Sequence, residues 1–379
     1  MYKYLILENY KIIALFFLLI PCKSYSQEKD LLLKGFIGKY FIVIHITYDI
    51  NSRNQCEAEY YYKSQKKTIS LDGEFSNNSI KLWGPISRWE NDSTETFFLK
   101  PTINGKWEGY WKGNKNISVP VKLIPYDINS ISHYFSRLTT VKELKKHEPY
   151  QYVLTSEISF KVVNTVCYEK NICFQVLHDE LSDTYLFKMI SGTNESSLVK
   201  INKTIDSLTF DAISMSLMPS SIGSFNANTS ISYVNQSLIV LNTYADYDGG
   251  AHPDFSYTNY TIDIQNGEII PAQKLLYFGE GSAPNSYSTA WNDYEENILI
   301  PSLENLFKQM NIDSLSIDEC DYFSDYSNWN LNSWYPTKEG ICLGAFFPRS
   351  NRACDNPCFT VLPYNLIRQY LNPKYIWPK

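Results

Sequence analysis

The sequence has no second long apolar segment. After the first 26 residues, no stretch approaches the roughly 18 consecutive apolar residues of a membrane-spanning helix, so we expect the mature chain to have no transmembrane segment. A basic surface is also missing, because 40 Asp and Glu face 34 Lys and Arg, a formal charge of -6. This acidic balance disfavours a nucleic-acid partner, which calls for a basic face, and permits a basic protein partner through electrostatic steering.

Well-known catalytic signatures are missing as well. We find no G-x-S-x-G elbow, P-loop, Rossmann fingerprint or H-E-x-x-H motif, and no period of 20 to 50 residues that would indicate a solenoid. The five histidines show no metal-ligand spacing. They are His45, His133, His147, His178 and His252. We predict no metal and no cofactor, and we expect a binding protein rather than an enzyme.

The N-terminus predicts a secretory signal peptide over residues 1–26. Basic residues precede the apolar run 12–20, which is too short to span a bilayer of about 30 Å. Small residues follow at the spacing that a signal peptidase accepts, so we expect cleavage before Gln27 and a periplasmic or secreted protein. The alternative is a lipoprotein anchored through Cys22, for which Pro21 makes a poor lipobox.

Cysteine usage fits an oxidising compartment. One of the eight cysteines, Cys22, leaves with the signal, so the remaining number is odd. We predict local disulfides, and leave Cys56 free or intermolecular. The predicted pairs are Cys167 with Cys173, Cys320 with Cys342, and Cys354 with Cys358. A zinc site of four thiolates is the alternative, which export disfavours because it promotes oxidation, and spacing alone does not prove the connectivity.

The length predicts two domains, because roughly 350 mature residues exceed the usual size of one core. Residues 27–125 carry short strands rich in β-branched and aromatic residues, which predicts an all-β meander or barrel. Residues 126–148 are predicted to be a linker, with a short helix at 141–146. Turn signals in the first domain fall at Asp72-Gly73, Asn77-Asn78 and Asn104-Gly105.

Residues 149–379 mix strand and helix patterns, which predicts an α+β domain in which an antiparallel sheet packs with helices. We divide it into subregions 149–225 and 226–379. The predicted strands are 153–163 and 171–178, bridged by a disulfide, and then 231–234, 238–244, 257–264, 340–347 and 358–362. The predicted helices are 198–210, 286–310 with a kink or break at Pro301, and 364–371.

One segment resembles a known family. Tyr247-Asp248-Gly249-Gly250-Ala251-His252-Pro253 is followed by a strand, a turn at Asn266-Gly267 and a helical signal from Pro271, and the stretches 340–348 and 359–366 match further along. This pattern, over about 230–370, resembles the extracellular domain of RsiV-type anti-sigma factors. Residues of about 150–225 match weakly the domain that commonly precedes it, which is also found in PdaC-like peptidoglycan deacetylases.

The resemblance implies an α+β fold and, in the best-understood relative, binding of lysozyme. It does not cover residues 30–125. The sequence shows neither the transmembrane helix that would hold a sigma factor at the membrane nor a deacetylase catalytic domain. We therefore expect neither of those two activities.

Two segments are candidate binding sites. In the turn formed by Tyr247, Asp248, Gly249, Gly250 and His252, adjacent glycines allow close approach of a ligand. Histidine is the side chain whose ordinary pKa lies nearest neutral pH, and His252 would need an aspartate partner such as Asp248 for catalysis; the simpler interpretation is a tight turn fixed by the histidine. The second segment is an acidic run with aromatic residues, which is either a solvated loop or a surface that steers a basic partner. Its candidate residues are Asp321, Tyr322, Phe323 and Tyr326.

Two further features have simpler explanations. His178-Asp179-Glu180 suggests metal or acid-base chemistry, but a turn after a strand explains it, since adjacent strand residues point to opposite faces. The tryptophans of the first domain are predicted to be core residues, with a carbohydrate or lipid platform as the alternative. They are Trp83, Trp89, Trp107 and Trp111.

Two functions follow as hypotheses. The first is an exported, non-enzymatic binding protein that recognises or inhibits a lysozyme-like muramidase or another cell-envelope component. The alternative is a cell-envelope enzyme or accessory subunit that acts on peptidoglycan with His252 and a neighbouring aspartate. The sequence names neither the ligand nor the oligomeric state.

Overall fold

The computed structural model describes residues 28–49, 55–86, 93–113, 117–217, 224–248, 253–285, 288–312, 320, 329 and 331–379. Contacts divide the chain into two units. The barrel unit contains the described residues up to Lys63 together with Ile69–Tyr126, and the C-terminal unit contains Ser64–Thr68 together with Asp127–Lys379. Among the described residues, no helix is both long and apolar enough to cross a membrane.

The barrel unit is a closed barrel of antiparallel strands that follow one another in chain order. The last strand pairs back with the first, which removes both sheet edges. The strands are β1 (Glu28–Ile37), β2 (Tyr40–Asp49), β3 (Gln55–Tyr62), β4 (Ile69–Ser76), β5 (Ser79–Ile86), β6 (Ser93–Pro101), β7 (Trp107–Gly113) and β8 (Ser118–Pro125). The prediction of a small meander or barrel is confirmed.

Alternation along the strands places every second side chain in the barrel interior. Ile42, Ile44 and Ile46 of β2 are fully buried there. Small residues are required where strands approach closely: a Cβ atom at Gly109 would collide with the main-chain carbonyl of Phe98. Trp107 is buried in the same core, as predicted.

One predicted turn of the barrel is wrong. Asp72-Gly73 lies inside β4, where Asp72 is exposed and Gly73 faces the interior. A Cβ atom at Gly73 would lie 2.6 Å from the side chain of Leu82, so this glycine serves packing rather than chain reversal. Turns are found at Asn77-Asn78 and Asn104-Gly105, where all four residues have positive φ.

The described part of the C-terminal unit contains three separate three-stranded antiparallel sheets, in the orders β11-β10-β9, β12-β13-β14 and β15-β16-β17. Their strands are β9 (Lys161–Tyr168), β10 (Ile172–Asp179), β11 (Thr184–Ser191), β12 (Ser224–Val234), β13 (Leu238–Asp248), β14 (Asp254–Asp263), β15 (Tyr335–Pro336), β16 (Gly340–Ala345) and β17 (Asn356–Pro363). The helices are α1 (Thr139–His147), α2 (Pro149–Ser156), α3 (Glu195–Ser216), α4 (Thr289–Tyr294), α5 (Ile300–Gln309) and α6 (Tyr364–Ile367). This is the predicted α+β class.

The long helix α3 packs against β11 and β12. The side chain of Asn194 caps its first turn by accepting a hydrogen bond from the main-chain N–H of Ser197. Ile201, Ile205 and Ile213 recur at helical spacing and are buried. The helix is longer than the predicted 198–210 at both ends.

Two boundaries differ from the predictions. Residues 149–156 form helix α2, so the strand predicted over 153–163 begins only at Lys161; Pro149 suits the first turn of a helix. The helix predicted over 286–310 is divided into α4, a π-helical turn at Glu295–Leu299 and α5, with Pro301 in the first turn of α5. The described chain therefore continues helically through this region, in three segments.

Among the described residues three disulfides are formed, and they join the six cysteines predicted to be bonded. Cys167–Cys173 closes the β9–β10 hairpin, as predicted. The other two predicted pairings are wrong, since Cys320 is bonded to Cys354 and Cys342 to Cys358. Pairing of β16 with β17 brings Cys342 and Cys358 to a Cα–Cα distance of 5.5 Å, whereas Cys354 precedes β17 and is bonded to Cys320. Disulfides of this kind are typical of an oxidising compartment.

Candidate functional site

Most of the residues that the sequence singled out lie outside the described residues. These are Gly249, Gly250, His252, Asp321, Tyr322, Phe323 and Tyr326. Tyr247 and Asp248 are the last two residues of β13, and Tyr247 faces Asp254 at the start of β14. The Gly-Gly-Ala-His segment thus connects two antiparallel neighbours, and Asp248 is exposed at its first end.

Asp179 has a structural role in a turn. Its carboxylate accepts hydrogen bonds from the main-chain N–H of Ser159 at 2.8 Å and of Ser182 at 2.8 Å, and from the Ser182 hydroxyl at 2.9 Å. His178 is 2.8 Å from Asp183 instead, on the other side of the strand. The histidine and Asp179 are therefore directed apart, as the strand argument predicted.

A groove of about 600 Å³ runs along the outer edge of β14 in the C-terminal unit. Strand residues 256–261 form one side. The other sides come from the segment after β14 and from residues around β16. These further lining residues are Ile269, Ile270, Pro271, Ala272, Leu331, Trp334, Phe346, Phe347 and Arg352. The groove therefore lies where an edge strand meets a second sheet.

The direction of the main-chain groups in β14 follows from one hydrogen bond. The N–H of Ile264 donates to the carbonyl of Ser237, the residue just before β13, at 3.0 Å. Since the direction alternates along a strand, even-numbered residues of β14 bond to β13 and odd-numbered residues point to the outer edge. Tyr257 and Asn259 are therefore the residues whose main-chain groups face the groove.

Arg352 closes one end of this edge. Its guanidinium donates to the carbonyl of Phe255 at 2.8 Å and contacts the carboxylates of Asp254 at 2.7 Å and Asp355 at 3.1 Å. The guanidinium carbon also lies 5.3 Å from the ring centre of Phe255. The side chain of Asp355 is fully buried and accepts a further hydrogen bond from the main-chain N–H of Phe347, which fixes the arginine in place.

The loop after β14 closes the other end. The N–H of Ile270 donates to the carbonyl of Thr261 at 2.7 Å, and the N–H of Asp263 donates to the carbonyl of Glu268 at 2.9 Å. Gly267 in this loop has a positive φ of 70°, which glycine adopts readily. The unpaired part of the edge therefore spans the residues between Phe255 and Thr261.

Aromatic and hydroxyl side chains give the groove its chemistry. The ring of Tyr257 lies 6.2 Å from that of Phe346, and Trp334 is held by its indole N–H, which donates to the carbonyl of Gly344 at 3.2 Å. Burial, with Asp211 nearby, raises the pKa of Tyr260 and keeps its hydroxyl protonated. Among the described lining residues, only Arg352 is charged. Such a surface binds by hydrogen bonds and apolar contact.

A second polar cluster lies inside the barrel unit. The Glu95 carboxylate is 9% exposed and accepts hydrogen bonds from the Tyr60 hydroxyl at 2.7 and 2.8 Å and from the Trp111 indole at 2.6 Å. Burial raises the pKa of Glu95, and the two donors partly offset this shift. Trp111 thus has a hydrogen-bonding role in the interior, while Trp83 lies against Lys81 and Trp89 is outside the described residues.

Comparison with known proteins gives a similarity at the level of solved structures. No protein-family model matches the chain, and no curated protein matches it. A DUF3298 family protein from Pseudomonas aeruginosa PAO1 is 13% identical, with 59% of this chain and 97% of that chain covered and a TM-score of 0.31. A member of the DUF3298 family from Bacteroides fragilis NCTC 9343 is 14% identical, with 57% and 95% covered and a TM-score of 0.26.

The groove was not predicted from the sequence. The strand over 257–264 was predicted, but the mixed polar and aromatic residues at Ser256–Thr261 did not reveal that one edge of the strand is unpaired. Arg352 and Trp334 are separated from β14 by more than 70 residues of sequence, so only the fold brings them together. The excess of polar residues in this strand was the available signal.

Proposed function

We propose that this chain is an exported, non-enzymatic binding protein whose C-terminal unit recognises a protein of the cell envelope. The groove along β14 is the observation that carries the proposal. It combines exposed main-chain groups, a tyrosine and a tryptophan near its walls, and hydroxyl side chains, a combination suited to a polypeptide partner.

A basic muramidase of the lysozyme type is the first partner we propose. The charge balance supports this partner, because Asp and Glu outnumber Lys and Arg over residues 127–379. Opposite charges on two proteins accelerate their encounter and disfavour the binding of partners with the wrong charge. The sequence resemblance to RsiV-type extracellular domains supports the same partner. Occlusion of the muramidase cleft would make the protein an inhibitor.

The test is a calorimetric titration of residues 27–379, with disulfides formed, against a panel of lysozymes at about 50 mM and about 300 mM salt. We expect saturable binding that weakens by about tenfold at the higher salt, because the Debye length shortens and steering is screened. Inhibition of muramidase activity on cell walls is measured in parallel.

A matched pair of variants assigns binding to the groove. Phe346→Ala removes a ring from the groove and is expected to weaken binding at least about tenfold. Val162→Ala truncates an apolar side chain that is 55% exposed on β9 and is expected to leave binding unchanged. The muramidase assignment is wrong if no lysozyme binds at low salt, and the assignment of binding to the groove is wrong if the two variants bind equally.

A further inference from the structure

The outer edge of β14 has free main-chain groups between two closed ends. We propose that this edge accepts an extended, basic polypeptide segment as an added β-strand. The inference rests on the proposed function, since it specifies how the groove would hold a protein partner. It commits to main-chain pairing as the source of affinity, with the peptide lying between Arg352 and the loop at 264–270.

Two residues of β14 provide the pairing positions. Among the described residues, the main-chain N–H and C=O of Tyr257 and of Asn259 have no hydrogen-bond partner. Two outward residues separated by one inward residue present two donors and two acceptors at the repeat of a β-ladder. An incoming strand would pair with all four groups together.

The size of the groove fits a short strand. Residues 256–261 extend over about 20 Å at roughly 3.3 Å per residue, and the volume of about 600 Å³ accommodates an extended segment of a few residues. Trp334 and Phe346 lie beside this path, so alternate side chains of the segment would contact aromatic rings. This is the arrangement by which exposed sheet edges capture peptides.

The charges at one end favour a basic segment. Arg352 contacts two carboxylates, Asp254 and Asp355, so the local sum of formal charges is negative. The Asp254 side chain is 41% exposed and is therefore accessible to an incoming lysine or arginine. A peptide with acidic ends would meet repulsion at the same place.

The probe is an acetylated and amidated hexapeptide with lysine at both ends and alternating threonine and valine between them, titrated into the full mature protein. We expect saturable binding with a Kd below about 100 μM. Methylation of the main-chain nitrogens along both edges of the peptide removes the hydrogen-bond donors of the β-ladder. We expect this change to weaken binding at least about tenfold. The same peptide with glutamate ends should also bind at least about tenfold more weakly.

Two variants of one residue provide the matched test on the protein. Tyr257→Pro removes an outward N–H without touching the ladder to β13, and edge strands tolerate proline at such positions. Tyr257→Val removes the same ring but keeps the N–H. We expect the proline variant to bind the lysine peptide at least about tenfold more weakly than the valine variant. Thr229→Pro, on the opposite edge strand β12, should bind like the wild type.

Several outcomes overturn the inference. They are equal binding of the methylated and unmethylated peptides, equal binding by the two Tyr257 variants, and no binding of any peptide below about 1 mM. A soluble muropeptide that occupies the groove equally well in both Tyr257 variants would identify a carbohydrate site instead. Lysozyme binding that survives Tyr257→Pro would overturn the added strand but not the proposed function, whereas peptide binding without lysozyme binding would overturn only the muramidase assignment.

Discussion

At the scale of single residues, His133 shows how burial determines a role. Its Nδ1 accepts a hydrogen bond from the main-chain N–H of Phe135 at 3.1 Å, and its Nε2 lies 3.1 Å from the Thr155 hydroxyl. Protonation of Nδ1 would leave the buried main-chain N–H of Phe135 without its acceptor. Burial lowers the pKa of His133 to about 4, so the imidazole is neutral in the folded chain and has a structural role.

This shift predicts a dependence of stability on pH. The unfolded histidine titrates near 6.5 and the folded one near 4, so the unfolded state binds more protons between these values. The stabilisation is complete above about pH 6.5 and is lost as the pH falls towards 4, by up to about 3 kcal/mol. Guanidinium unfolding of wild type and His133→Gln at pH 7 and pH 4.5 measures it, and the wild type should lose more.

Asp206 is the control, because its contribution to the free energy of unfolding changes with pH in the opposite direction. Burial raises the pKa of Asp206 to about 6, so its protonated form stabilises the folded state at low pH and this contribution is lost as the pH rises through 6. Asp206→Asn should therefore gain stability relative to wild type at pH 7 but not at pH 3.5. Parallel pH profiles of His133→Gln and the wild type would contradict the assignment to His133.

At the scale of elements, strands β3, β6 and β7 are joined by a buried carboxylate. Glu95 accepts from Tyr60 and from Trp111, each on a different strand. Two donors and one acceptor share one site, so removal of the acceptor leaves both donors without a partner. The cost of such buried unpaired groups exceeds the worth of the bonds themselves.

Substitutions at Glu95 test this. Glu95→Leu should lower the free energy of unfolding by about 2 to 5 kcal/mol, whereas Glu95→Gln keeps an acceptor and should cost less than half as much. The measurement is urea unfolding at pH 7 followed by tryptophan fluorescence. Glu108→Leu, on the exposed face of β7, is the control, with an expected change within about 0.5 kcal/mol. Equal effects of the two leucine variants would refute the role of Glu95.

The disulfides give a second prediction at this scale. Mass spectrometry of an unreduced digest should find peptides that join Cys320 with Cys354 and Cys342 with Cys358. Replacement of Cys342 and Cys358 by serine should cost about 3 kcal/mol, the usual value for a loop of this length. A peptide that joins Cys320 with Cys342 would show that the β16–β17 register is different.

At the scale of the whole molecule, closure of the barrel determines whether the thiol of Cys56 is accessible. The side chain is 3% exposed and belongs to the barrel core, and burial raises the pKa of its thiol to about 12. It is the free cysteine among the described residues. Of the two predictions made for it, free or intermolecular, the structure supports a free thiol that only opening of the barrel exposes.

Thiol labelling measures this opening. In native buffer, fewer than about one in ten chains should react with a maleimide in the time that labels guanidinium-unfolded protein completely, because the reactive thiolate is both buried and disfavoured. The disulfides remain intact in both arms, so Cys56 alone reports. Rapid labelling in the native state, or a disulfide-linked dimer on a non-reducing gel, would contradict the buried position.

Local patterns determined a large part of the fold. Runs of β-branched and aromatic residues in β2 and β13, and turn residues such as Asn77-Asn78, act over a few residues and could be recognised directly. The predicted α+β class, the barrel and the hairpin closed by Cys167–Cys173 follow from such signals, because strands of this kind pair with their neighbours in sequence. The first strand is the exception, since its charged residues 28–30 become a strand by pairing with β2.

Long-range contacts decided the rest. The pairing of Cys320 with Cys354, the position of Gly73 inside a strand and the groove beside β14 each depend on residues far apart in the chain. Arg352 contacts Asp254 across almost 100 residues, and no local pattern records such a contact. Most strands, helices and turns could be recognised from the sequence, because the signals for them act over a few residues; the unpaired edge of β14 could not, because it depends on what the remainder of the chain covers.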